Sequence, residues 1–62
     1  MDETKELILN SLGVLARLFP EQRLGQIIYN YILRYCPNYD PFYIEDKKLL
    51  KILEEIIDKY SH

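Results

Sequence analysis

The stretch RLGQIIYNYILRY, from Arg23 to Tyr35, decides how the rest of the chain is arranged. At about 100° per residue along a helix, Leu24, Ile27, Ile28, Tyr31, Ile32 and Tyr35 make one broad apolar face. Arg23, Gln26, Asn30 and Arg34 make a narrow polar stripe. Gly25, Tyr29 and Leu33 fall across from the main face, beyond the stripe. A helix with apolar side chains in both directions has more to bury than one neighbour covers, so it is expected at the centre.

Upstream lies a second amphipathic pattern. Asp2 or Thr4 can supply a capping oxygen, and Glu3 and Glu6 suit the positive end of a helix dipole. Ile8, Leu12, Leu15 and Phe19 then recur along one face, with Leu7, Val14 and Leu18 on its flank. Glu6, Asn10 and Arg17, with Gly13, are left for solvent. A glycine inside a helix costs about 1 kcal/mol relative to alanine, so Gly13 is read as allowing close approach of another backbone. Phe19-Pro20-Glu21 reads as a tight corner leading directly into the central helix, because proline suits a first helical turn and disfavours a helical residue before it.

Downstream, Pro37 stops the central helix at Cys36. PNYDPFYI, Pro37 to Ile44, combines two prolines with the turn formers Asn38 and Asp40, which predicts an ordered connection. Tyr39, Phe42, Tyr43 and Ile44 are apolar enough to be expected over the end of the core. The last helix begins at Glu45 or Asp46 and directs Leu49, Ile52, Leu53, Ile56, Ile57 and Tyr60 inward. Lys47, Lys51, Glu54, Glu55 and Asp58 face outward, and Glu55 and Lys59 are spaced for an i,i+4 pair. The expected fold is therefore all-α. It is a compact three-helix bundle over residues 3–19, 21–36 and 45–60, in a single domain spanning 1–62, with an aromatic, proline-containing connection between helices two and three.

Composition limits what such a domain can do. A chain of 62 residues buries only about 60% of the surface its unfolded form exposes, which makes it marginal alone. Small domains recover stability through disulfides, metals, close helix packing or self-association. One cysteine, Cys36, makes no internal disulfide, and Cys36 and the lone His62 lack zinc-type spacing. With 48% hydrophobic residues and six tyrosines, packing and oligomerisation remain. A net charge of −2 gives no footprint for nucleic acid or anionic membranes. The acidic N-terminus is unlike a signal peptide, and no apolar run approaches the roughly 18 residues of a membrane span. A cytoplasmic protein is the expectation, and the single cysteine agrees with a reducing compartment.

Arg23-Leu24-Gly25-Gln26 followed by Asn30, and then Phe42-Tyr43-Ile44-Glu45-Asp46 before an amphipathic helix, resembles a group of small uncharacterised helical proteins of bacteria and their phages. The resemblance covers about two-thirds of the chain. It implies a helical fold and a prokaryotic or phage setting, and brings no activity and no catalytic residue.

Candidate chemistry divides into functional and structural readings. Arg23, Gln26, Asn30 and Arg34 are side chains that read base edges in a major groove. The plainer reading is a solvated strip, with Gln26 or Asn30 bonded to neighbouring backbone. Asp40, Glu45 and Asp46 lack the alternation and turn glycine of a calcium loop, and turn or helix-start duties account for them. Tyr29, Tyr31, Tyr35, Tyr39 and Tyr43 resemble a stacking platform for single strands, but only Arg23 and Arg34 are near to supply positive charge. Cys36, Ser11 and Ser61 have no evident base beside them, and no glycine-rich phosphate cradle exists. No enzyme, cofactor or metal is expected, and Cys36 reads as a small buried hydrophobe.

Two functions remain in play. One is a protein–protein interaction module, either a homodimer or an adaptor, using Leu7, Val14, Leu18, Gly25, Tyr29 and Leu33. The other is a small helix-turn-helix DNA-binding regulator built on the first two helices.

Overall fold

The computed structural model describes residues 2–61. Among them three helices form and no strand does. Helix α1 is Glu3–Leu18 and helix α3 is Asp46–Tyr60. Between them, helix α2 is assembled from an α-helical turn, Leu24–Ile27, a π-helical turn, Ile28–Ile32, and a 3-10 turn, Leu33–Tyr35.

Helices α1 and α3 are the principal packing pair, and α2 closes over them. Leu15 of α1, Ile27 of α2 and Leu53 of α3 are essentially dry, one from each helix. Ile8, Ile32, Ile52 and Ile56 complete the buried cluster, with Leu12, Leu18, Phe19, Ile28, Tyr31, Ile44, Leu49, Leu50 and Ile57 packed around it. The inward pattern of α3 therefore holds for Leu49, Ile52, Leu53, Ile56 and Ile57, with Leu50 as an addition, whereas Tyr60, expected inward, is 40% exposed at the helix end. Lys47, Lys51, Glu54, Glu55 and Asp58 are exposed as expected. The ammonium of Lys59 lies over the Tyr60 ring, 5.4 Å from its centroid.

Asp2 caps α1, its carboxylate accepting from the Lys5 backbone N–H at 2.9 Å, whereas Thr4 is already inside the helix. The Lys5 ammonium also reaches Asp46 at 2.8 Å, tying the start of α1 to the start of α3. Both partners are about half exposed, so the tie positions the helices more than it stabilises them.

Helix α2 departs from its expected start and register. It does not follow directly from Pro20. The Gln22 N–H bonds the Phe19 carbonyl at 3.1 Å, closing a turn, and Arg23 is the extended N-cap residue. Gln26 Oε1 accepts the Arg23 N–H at 2.7 Å. Farther on, the Leu33 N–H bonds the Ile28 carbonyl, five residues back. A π turn holds one residue more than an α turn, so everything after it is rotated back by about 100° relative to a regular helix. The buried positions accordingly run Ile27, Ile32, Cys36. Tyr35, expected on the main apolar face, is 51% exposed, and Cys36 takes its inward place. Leu24, also expected there, is 53% exposed on the first turn.

An aromatic cluster joins all three helices. Phe19 and Tyr31 stack at 4.4 Å with their planes 8° apart, and Tyr60 meets both edge-on at 5.4 Å. Gln22 Nε2 donates to the Tyr31 hydroxyl at 2.9 Å, so the polar tip of this half-buried ring is satisfied.

The reading of Gly13 as a backbone contact is corrected. A Cβ there would meet only Arg17 Nη2, at 3.7 Å, an ordinary contact. Gly13→Ala is therefore expected to stabilise the fold by up to about 1 kcal/mol, read as a higher urea midpoint. A lower midpoint would show a contact that this packing lacks.

The Asp2 carboxyl is held below its ordinary value of 3.8, first by the Lys5 backbone N–H and then by the Lys5 side chain. A value lowered by folding adds stability that is present above the unfolded value and is lost as pH falls through the folded one. Asp2→Ala should lower the melting temperature near neutral pH, and the gap should narrow once the pH drops below the ordinary carboxylate range. A gap independent of pH would assign the cap elsewhere.

Candidate functional site

The connection from Pro37 to Ile44 is a succession of closed turns. The Tyr39 N–H bonds the Cys36 carbonyl and the Asp40 N–H the Pro37 carbonyl, each at 3.0 Å. Asn38 and Tyr39 both have positive φ, 56° and 57°. Asparagine enters this left-handed region readily, whereas a bulky residue there costs about 1–2 kcal/mol. Stacking of Tyr39 on Tyr29, with centroids 5.9 Å apart and planes 14° apart, works against that cost. Asp40 Oδ1 then accepts the Phe42 N–H at 3.0 Å, and the Ile44 N–H bonds the Pro41 carbonyl at 3.1 Å.

That last turn overturns the expectation that Phe42 and Tyr43 cover the core. They occupy its two central positions and point outward, Phe42 79% and Tyr43 87% exposed. Their rings pack edge-to-face on each other at 4.8 Å, and of this pair's neighbours Ile44 is the one that joins the core. Periodicity missed this because the connection has no period. The Asp-Pro-Phe-Tyr order was the available signal, since it places both rings at the tip of a turn.

Beside the turn lies a cleft of about 510 Å³ lined by Tyr35, Pro37, Asn38, Asp40, Tyr43, Ile44, Glu45 and Lys48. The register shift in α2 supplies Tyr35, the turn supplies Tyr43, and the first turns of α3 supply Glu45 and Lys48. Glu45 is the N-cap residue of α3, but its carboxylate makes no capping bond, and Asp46 is engaged by Lys5. Of the three carboxylates singled out from sequence, Asp40 and Asp46 thus serve turn and helix-start roles.

The polar stripe is divided. Gln26 caps α2, and Asn30 Nδ2 donates to Gln22 Oε1 at 3.4 Å. Asn30 and Arg34 line a cleft of about 310 Å³ with Tyr29, Tyr31 and Tyr39, whereas Arg23 and Gln26 lie outside it. Among the suggested interface residues, Leu7 and Tyr29 are exposed, Val14 and Leu33 are half-buried, and Leu18 packs on the chain's own core. Gly25 is exposed, with nothing within 4 Å of a built Cβ.

Cys36 is buried, its Sγ directed at the Ile32 carbonyl at 3.6 Å. Burial pushes its thiol pKa up, and the negative charge of Asp40 pushes it in the same direction. That is the opposite of a nucleophile's environment. Among the described residues, no group of three His, Cys, Asp or Glu side chains is placed to hold a metal ion, and no helix is long and apolar enough to cross a membrane.

No protein-family model, curated protein or solved structure matches this chain.

Phe42→Ala is expected to change the unfolding free energy by no more than about 0.5 kcal/mol, as for a surface substitution. Tyr31→Ala should cost about 2–3 kcal/mol, because it empties the centre of the aromatic cluster. Denaturant titration of the two variants reads the contrast, and equal losses would mean that the turn is packed.

Proposed function

We propose that this chain is a small helical protein–protein interaction module, acting as a homodimer or as an adaptor for another protein, in a prokaryotic or phage cytoplasm. The observation that carries this reading is the concentration of exposed rings between Tyr29 and Tyr43: Tyr29, Tyr35, Tyr39, Phe42 and Tyr43 all face solvent. Protein-binding surfaces are enriched in such residues, and monomers rarely expose large contiguous apolar patches. Tyrosine suits this use because its ring can be buried by a partner while its hydroxyl stays solvated.

The helix-turn-helix alternative draws less support. Gln26 and Asn30, two of the side chains that would read bases, are hydrogen-bonded within the chain. The net charge of −2 offers little to hold phosphates. The setting rests on the resemblance described above, and the compartment on the lone cysteine.

Light scattering at micromolar concentration, with a gel shift on duplex DNA at moderate salt, separates the two functions. The module should show a mass above that of one chain, or capture a defined partner, with no shift of DNA. A shift abolished by Arg23→Ala with Gln26→Ala would replace this reading by the regulator.

A further inference from the structure

The cleft beside the connection carries both signs of charge on an apolar floor. Asp40, Glu45 and Lys48 all line it with Tyr35, Tyr43 and Ile44. Lys5 is engaged elsewhere, with Asp2 and Asp46. Among the described residues the side chains of Glu45 and Lys48 make no hydrogen bond or ion pair, and the Asp40 carboxylate accepts only the Phe42 N–H. An apolar surface bearing unpaired charges of both signs is self-complementary. A two-fold axis brings the cation of one copy to the anions of the other and repeats the contact in reverse.

Resting on the interaction-module reading above, we propose that this cleft is where two copies of the chain meet. The Lys48 ammonium of each copy sits against the Asp40 and Glu45 carboxylates of the other, with Tyr35, Phe42 and Tyr43 packed between them. The available area fits. At about 200 Å² per aromatic side chain, the exposed fractions of Tyr35, Phe42 and Tyr43, 51%, 79% and 87%, leave roughly 400 Å² in water. That is about half of the ~800 Å² each partner contributes to a standard interface. Pro37, Ile44 and the aliphatic stem of Lys48 extend the same surface. The surface is also ready-made, because its turn is closed by Asp40 and its wall is the start of α3. This moves the contact away from the face first indicated by Leu7, Val14, Leu18, Gly25, Tyr29 and Leu33.

The test is a charge exchange read by analytical ultracentrifugation, with circular dichroism as the check on folding. Lys48→Glu alone, or Glu45→Lys alone, should weaken self-association at least about tenfold, since each places like charges across the axis. Neither side chain supports the fold, so helicity should be unchanged. Mixing the two variants should restore the dimer as a heterodimer, which a folding defect would not do. A wild-type dimer that survives both substitutions overturns this face while leaving self-association intact, and Leu33→Glu would then locate the contact on α2. A wild-type mass of one chain at every concentration overturns this face and the homodimer together.

Discussion

Each helix contributes one side chain that is wholly withdrawn from water, Leu15, Ile27 and Leu53, and the rest of the structure is arranged to let those three meet. A chain this short has so little interior that every helix must aim its few large aliphatic side chains at the same point. Helices α1 and α3 do so with regular geometry. Helix α2 has to present both Ile27 and Ile32, five residues apart, and the π turn between them is how it does so. The wider turn gives up regular hydrogen-bond spacing, and burial of Ile32 and Cys36 offsets that loss.

The outer two helices were legible from sequence because their side chains repeat at the α-helical period. Ile8 and Leu15 as core, and Ile52, Leu53 and Ile56 as the inward face of α3, follow from spacing alone, while Asp2 was one of two residues, with Thr4, whose side-chain oxygen could cap α1. The central helix was legible as a helix, but its far end was not. A period of 3.6 assigns Tyr35 inward, and the extra residue in the π turn reverses the roles of Tyr35 and Cys36. The corner after Pro20 was lengthened for a similar local reason, since the Gln26 side chain caps at Arg23 and Glu21 and Gln22 are left in the turn.

The candidate site was the least legible part, for a physical reason. An aromatic residue in a turn is apolar by composition, but its exposure is set by which turn position it holds. Phe42 and Tyr43 sit at the two central positions of the turn, where both are exposed, and Asp40 holds the Phe42 N–H there. Tyr39 adopts a backbone conformation that tyrosine disfavours, and it does so next to its stacking partner Tyr29. Local strain and exposed rings thus coincide in one connection.

The buried thiol of Cys36 has a consequence for how the molecule opens. The reactive species is the thiolate, and here the sulfur is shielded by the end of α2 while its proton is held by burial and by the charge of Asp40. An alkylating reagent therefore gains access only when the end of α2 opens around the sulfur. As the chain's single cysteine, it acts as an intrinsic clock for that fluctuation. Its labelling rate reports the local opening equilibrium of the central helix separately from the global unfolding that α1 and α3 resist together.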